Sequence, residues 1–235
     1  YYPVDFASAG SSQIGGNIGT NAGGIKVIRY GMTRQWIMGL TVVTGKGDIL
    51  QLNRGMVKNA TGYDLRQLFI GSEGTLGLVT HAQIKLERQP QDLNVMVLGM
   101  DSFNDVMNVL SAFQAKIDLT AFEFFDDVAI DKLMAHGQVQ EPFESRTKFY
   151  TLLEFEAPYE PIMDKAMAIF EECMEQGWVV DGVMSQNLAQ AEELWKLREY
   201  ISETISVFTP YKNDVSVLIS YVPEFIAEID HIVSS

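Results

Sequence analysis

Alternating apolar and polar positions predict a strand-rich first third of the chain: LTVVTG at 40–45, DILQL at 48–52 and LGLVTHAQIKLE at 76–87, punctuated by Gly and Asn. Beyond Pro90 the pattern changes. NVMVLGM (94–100), TAFEFF (120–125), FYTLLEFE (149–156), WVVDGVM (178–184) and VSVLIS (215–220) predict strands, separated by helical spacing at 103–116, 161–176 and 187–208. The first helix places Phe103, Val106, Met107, Leu110 and Phe113 on one face, and the second starts at Pro161 and stops at Gly177. The tail FIAEIDHIVSS keeps apolar helical spacing and reads as an unfinished helix. Short alternating strands and helices make either a parallel sheet or an antiparallel sheet with helices on one face, and periodicity alone does not choose. The division falls near Pro90, into 1–90 and 91–235.

Two glycine-rich segments interrupt this pattern. In SSQIGGNIGTNAGGIKVIRYG (11–31), Gly15, Gly16, Gly19, Gly23 and Gly24 alternate with Asn17, Thr20 and Asn21, beside Ser12. Glycines let backbone N–H groups approach a ligand closely and permit positive φ, and the small polar side chains can bond phosphate or amide groups, so the segment can wrap a pyrophosphate. The second segment is TGYDLRQLFIGSEGTLGLVT (61–80), with Glu73, Gly74 and Leu78. The chain carries no GxxxxGK[ST], and no GxGxxG sits between a buried strand and a helix with an acidic residue about 20 positions on.

IGGNIGTNAGG, RYG at 29–31, ATGYDLRQLFIGSEGTLGLVT and LWKLRE at 194–199 together resemble the FAD-linked flavoproteins of the vanillyl-alcohol-oxidase fold, also called PCMH-type. Within that superfamily the chain most resembles the D-2-hydroxyglutarate dehydrogenases, with D-lactate dehydrogenases and the glycolate oxidase flavin subunit as relatives. The resemblance runs almost end to end, from YYPVDF to YVPEFIAEIDHIV. It implies an α+β fold: the second subdomain of a PCMH-type FAD-binding domain over 1–90, then a ferredoxin-like cap over 91–235, an antiparallel sheet with helices on one face. It also implies that both ends are cut, with a further flavin-binding subdomain before Tyr1 and a His-Gly-His-type segment after Ser235. The piece alone is then expected to be inactive and free of flavin.

The resemblance assigns roles residue by residue. Ser12, Gly15, Gly16, Asn17, Thr20, Asn21, Gly23, Gly24, Glu73, Gly74 and Leu78 would line the FAD. Arg198 in the LRE motif, Ser202 four residues on and Lys212 before the next predicted strand would hold the substrate's carboxylates. From the residues alone, Leu194, Arg198, Ile201 and Ile205 share one helical face, which puts a guanidinium in an apolar stripe. Such a charge needs a partner. Its planar fork suits a carboxylate ligand, while the structural alternative is an ion pair with Glu199, Glu203 or an acidic residue elsewhere. Asn213 replaces the family's usual aromatic and Leu218 a common Pro, which bears on pocket shape.

The reaction implied is oxidation of a D-2-hydroxy acid, D-2-hydroxyglutarate favoured, to the 2-oxo acid by hydride transfer to flavin. An electron-transfer protein or quinone would reoxidise it. The catalytic base and a divalent, zinc-like metal would come from residues after Ser235; His81, His136 and His231 show no HxH or HExxH spacing, so no metal ligand is assigned within the chain. A homodimer is left open, and a catalytically silent flavin-fold module is the second reading.

Composition narrows the partners. With 17 Lys and Arg against 31 Asp and Glu, the net charge of −14 opposes nucleic acid and anionic membranes, and no Lys/Arg cluster offsets it. No apolar run reaches the length of a spanning helix. The single Cys173 lies on a helical stripe with Met167, Phe170 and Met174 and reads as a packed thiol, which excludes an internal disulfide and suits a reducing compartment, cytoplasmic or, in a eukaryote, the mitochondrial matrix. Asp126-Asp127 and Glu192-Glu193 read as solvated helix ends or faces.

Overall fold

A computed structural model describes residues 1–6, 10–137 and 139–234. In chain order the elements are α1 (Ile14–Thr20), α2 (Val27–Tyr30), β1 (Ile37–Thr44), β2 (Ile49–Leu52), α3 (Arg66–Phe69), β3 (Gly77–Ile84), β4 (Leu93–Met100), α4 (Phe103–Gln114), β5 (Leu119–Asp126), α5 (Asp127–His136), β6 (Phe149–Glu156), α6 (Glu160–Glu175), β7 (Asp181–Met184), α7 (Leu188–Glu199), α8 (Ile201–Ser206) and α9 (Val222–Ser234). They form two compact units: Tyr1–Asp92 with Asp118–Phe122, and Leu93–Ile117 with Glu123–Ser235.

In the first unit three antiparallel strands run in the order β2-β1-β3, with Val42 opposite Leu50 on one side and Val79 on the other. One core joins this sheet to the glycine segments: Ile18 of α1 and Phe69 and Ile70 at the end of α3 pack with Ile37, Leu40 and Val42 of β1. Burying a side chain of this size contributes roughly 1.5–3 kcal/mol, so the apolar members of each glycine segment are what fix it to the sheet. Arg66 adds a polar tie. Its Nη1 donates to the carbonyls of Ile37 and Met38 at 2.8 Å each, while Nε and Nη2 grip the Asp64 carboxylate at 2.7 and 2.8 Å. That grip, chiefly through hydrogen bonds, holds the Asp64 carboxyl below the usual carboxylate range.

The second unit's sheet has the order β5-β6-β4-β7, with β4 antiparallel to both of its neighbours. With α5 inserted between β5 and β6, the chain otherwise runs strand–helix–strand–strand–helix–strand, and that order is the split βαβ arrangement of ferredoxin-like domains. The alternative of a parallel sheet is thereby excluded. Phe103 of α4 packs edge-on against Phe149 of β6, and a Cβ at Gly182 of β7 would meet both Leu98 of β4 and Phe170 of α6, so α4 and α6 share one face. The other face is also covered. Strand side chains alternate, so Glu154 points away from Phe149, and there it accepts a 3.0 Å hydrogen bond from Trp195 Nε1 of α7. On the same side the chain before β6 closes over β4, because a Cβ at Gly99 would lie 2.6 Å from Thr147 Oγ1 and 2.8 Å from the Phe143 ring. β6 is consequently buried on both faces along nearly its whole length, which its near-continuous apolar sequence reflects.

Three of the elements read from the sequence differ in the structure. VSVLIS at 215–220 is not a strand: residues 209–218 have no regular structure and Val215, Val217 and Leu218 are exposed, because β-branched composition forms a strand only where a neighbouring strand accepts its backbone. The helix read over 187–208 is interrupted at Tyr200 into α7 and α8. Its buried side is set by Ala191, Trp195, Leu197 and Thr204, and the stripe of Leu194, Arg198, Ile201 and Ile205 lies only partly buried beside it. The predicted strand at 178–184 shortens to 181–184. Helix α9 fulfils the helical reading of the tail up to Ser234, and Ser235 lies outside the described residues.

Cys173 is fully buried on α6 with Ala166 and Ile169, whereas Met174 is 42% exposed and leaves the stripe read from the sequence. Burial, with the Glu172 carboxylate beside it, pushes the thiol up to about 11. The folded protein should therefore resist iodoacetamide at neutral pH and react once unfolded in urea, read by the mass of the alkylated chain. Rapid alkylation of the native protein would show that the α6 face opens.

Candidate functional site

The IGGNIGT stretch folds as α1, a short helix rather than an irregular wrapping loop. Its N-cap, Gln13, is extended and makes no side-chain cap, and Asn17 N donates to the Gln13 carbonyl as the first helical bond, so the N–H groups of the opening turn have no intrahelical acceptor. Asn21 ends the helix in the left-handed region at φ 50°. The two glycine segments are bonded into one surface: Gly71 N donates to Ile18 O and Glu73 N to Gly19 O, both at 2.9 Å. Glu73 (φ 50°) and Gly74 (φ 78°) form a tight left-handed turn there, and glycine tolerates it without a Cβ penalty.

The glycines divide into two kinds. A Cβ at Gly15, Gly16 or Gly74 would meet nothing within 4 Å, and one at Gly19 only Glu73 Cα at 4.0 Å. By contrast, a Cβ at Gly24 would lie 1.6 Å from the Asp5 carbonyl oxygen, and one at Gly23 would crowd Val27 Cγ2 and Met32 Cε at 3.2 and 3.3 Å. Gly23 and Gly24 are glycines because the protein packs on them. Gly15, Gly16 and Gly74 are open positions that a ligand's backbone-facing side can reach. None of Gly15, Gly16, Gly19, Gly23 and Gly24 uses positive φ, so the advantage of glycine there is the missing side chain.

The polar residues also divide. Asn21 Oδ1 accepts from Arg34 N at 3.0 Å and Thr20 Oγ1 donates to Gly16 O at 3.1 Å, so both support the turn. Asn17 is nearly buried, its Nδ2 3.4 Å from Ser12 Oγ. Glu73 and Leu78 are exposed, Leu78 by 68%. Arg34 was not singled out by the sequence, yet its Nη1 donates to Gln67 Oε1 at 2.8 Å and its Nη2 to Ile70 O at 3.3 Å, so it links the turn at Asn21 to the second segment. The signal available for it was weak: an arginine close behind a glycine segment has no spacing rule attached.

In the second unit Arg198 sits in the last turn of α7. Its partner is Glu123 of β5, with Nε 2.6 Å from Oε2 and the two side chains 34% and 20% exposed. Glu199 and Glu203, the neighbours that helical spacing offered, are not its partners. Ser202 and Lys212 are exposed, and Lys212 Nζ reaches the Ser202 carbonyl at 3.5 Å, so the structure brings these two together. A cleft of about 600 Å³ opens between α7 and the chain at 139–142, lined by Val139, Glu141, Met184, Glu193, Leu194 and Leu197 among others. Among the described residues its lining holds two carboxylates and no cation, the wrong sign for an anionic acid, and none of Arg198, Ser202 and Lys212 contributes to it. Asp126 caps α5 by accepting from Ala129 N, and Glu193 pairs with Lys196, as expected of solvated helix carboxylates. Among the described residues no three of His, Cys, Asp and Glu are placed to hold a metal ion, and no helix is long and apolar enough to cross a membrane.

Residues 89–235 match the family described as FAD linked oxidases, C-terminal domain, and residues 1–53 match the FAD binding domain. The chain is 66% identical over 233 residues to the D-2-hydroxyglutarate dehydrogenase of Stutzerimonas stutzeri (strain A1501), covering 99% of this chain and 50% of that protein. It is 57% identical over 227 residues to the D-2-hydroxyglutarate dehydrogenase of Xanthomonas citri pv. viticola, covering 97% of this chain and 48% of the relative. The chain thus spans about half the length of these curated relatives. Among solved structures, an alkyldihydroxyacetonephosphate synthase superposes over 86% of this chain and 39% of its own with a TM-score of 0.61 at 19% identity, a likeness of fold.

Proposed function

The chain belongs to the FAD-linked oxidases, and from that premise we propose that it is part of an FAD-dependent dehydrogenase oxidising D-2-hydroxyglutarate to the 2-oxo acid. The observation that carries the substrate is the 66% identity, along 99% of this chain, with the Stutzerimonas stutzeri D-2-hydroxyglutarate dehydrogenase. Residues 1–90 act as the second subdomain of the flavin-binding domain and 91–235 as the cap that supplies substrate contacts.

The open glycine surface fits FAD. Backbone donors at the start of α1 and at Gly74, with Ser12 and Asn17, suit a pyrophosphate, Thr20 steadies the turn through its bond to Gly16 O, and Gly15, Gly16 and Gly74 leave the room a Cβ would fill. Asn21, Gly23 and Gly24 shape that surface from behind, and Leu78 offers an exposed apolar contact. When bound, FAD accepts the hydride equivalent that the substrate carbon gives up. This chain's part is to bind and orient: Arg198 holds one carboxylate, and Lys212 with Ser202 the other. The acceptor that reoxidises the enzyme is an electron-transfer protein or quinone, and the compartment is reducing, cytoplasmic or mitochondrial matrix, in keeping with one fully buried thiol.

Anaerobic addition of D-2-hydroxyglutarate to the purified, flavin-loaded complete gene product should bleach the flavin's visible absorption, and the L enantiomer should not. An unbleached spectrum with the D acid would overturn the proposal.

A further inference from the structure

Resting on the reading of Arg198 as a substrate-binding residue, we propose that Glu123 is its positioning residue, holding the guanidinium by one edge so that the other edge is presented to the substrate carboxylate. A guanidinium offers two edges to carboxylates, the side edge that includes Nε and the end edge formed by Nη1 and Nη2. Glu123 takes Nε at 2.6 Å, and among the described residues Nη1 and Nη2 of Arg198 have no protein partner. The pairing also crosses secondary structure. Glu123 stands on a strand and Arg198 in the last turn of a helix, so a rigid sheet element fixes the far end of a long, otherwise mobile side chain.

Two opposing effects decide the sign. Glu123 repels an incoming carboxylate, but both side chains are partly open to water, which screens that repulsion. Pre-set orientation of the fork works the other way, since ordering a rotamer-rich side chain at the moment of binding weakens affinity. Orientation wins if the acceptor matters more than its charge. Neutral Gln at 123 keeps an oxygen for Nε and removes the repulsion, whereas Ala removes both. The Arg198–Glu123 pair is formally neutral, which leaves Lys212 as the cation offsetting the substrate's charge.

The test is steady-state kinetics with D-2-hydroxyglutarate on the flavin-loaded complete gene product. Glu123→Ala should raise KM about five- to tenfold with kcat within about twofold, and Glu123→Gln should stay within about twofold of the parent in both. Flavin stoichiometry and thermal midpoint, measured alongside, should match the parent for Glu123→Gln. In the double variant Glu123→Ala/Arg198→Ala, KM should equal that of Arg198→Ala alone, because Glu123 acts through Arg198. If Arg198→Ala raises KM and Glu123→Ala does not, or lowers it, the positioning role is wrong while the substrate reading stands. If Arg198→Ala itself leaves KM unchanged, both fall. Additive losses in the double variant, or a Glu123→Gln variant as impaired as Glu123→Ala, would also overturn it.

Discussion

Gly16→Val in the complete gene product should give a folded, colourless protein. Nothing lies within 4 Å of a Cβ at Gly16, so the branched side chain meets no protein atom at its base, and valine is a better helix former than glycine. What it obstructs is the approach of a ligand to the opening turn of α1. Loss of only about 1.4 kcal/mol of binding lowers affinity tenfold, and a β-branched side chain between backbone donors and a pyrophosphate should cost more than that. The contrast variant is Gly24→Val, whose Cβ would overlap the Asp5 carbonyl and which should fail to fold. Gly23→Val would mix the two effects, since Val27 and Met32 already crowd that position. The measurement is the flavin-to-protein ratio after gel filtration together with circular dichroism. A Gly16→Val protein that keeps a stoichiometric yellow chromophore would remove α1 from the cofactor site.

That separation of ligand glycines from packing glycines was not legible in the sequence, which shows the same letter at 15, 16, 23 and 24. It depends on Asp5, whose carbonyl also accepts from Ile25 N, and on Met32, contacts that no local pattern announces. The helicity of α1 was hidden for a related reason. Each glycine disfavours a helix by roughly 0.8–1 kcal/mol relative to Ala, so IGGNIGT reads as loop, yet burial of Ile18 and the bonds from Gly71 and Glu73 hold it in place. α5 was missed although its signals were present, an Asp126 N-cap, Ile130 and Leu133 facing inward, and Gly137 in the left-handed region after the last turn. Strands β1 to β6 were read within a few residues because each carries a run of apolar or alternating positions bounded by turn residues. VSVLIS carries the same composition without a partner strand. Arg198 shows the limit most plainly: its need for an anion followed from a charge in an apolar stripe, but its partner is 75 residues away on β5 and could not be named from helical spacing.

Arg198→Ala and Lys212→Ala should each raise KM for D-2-hydroxyglutarate by at least about tenfold with bound flavin unchanged. A hydrogen bond to a charged group contributes on the order of 1.5–3 kcal/mol, and each substitution removes one such donor from the substrate. The two losses differ in their structural side effects. Removing Arg198 leaves Glu123 without its partner, but that carboxylate retains some contact with water, so the protein's stability should fall only modestly. Lys212 is exposed and, among the described residues, its one hydrogen bond is a long contact to the Ser202 carbonyl, so its removal should leave the thermal midpoint where it was. If both variants keep the parent's KM, these are structural charges and the substrate is held elsewhere. The comparison of acids then decides between relatives. A second carboxylate gives Lys212 and Ser202 something to hold that D-lactate lacks, so the parent should prefer D-2-hydroxyglutarate in kcat/KM, and Lys212→Ala should erase most of that preference while leaving the already low rate with D-lactate nearly unchanged. Equal specificity constants for the two acids in the parent would overturn the dicarboxylate reading and favour a D-lactate dehydrogenase.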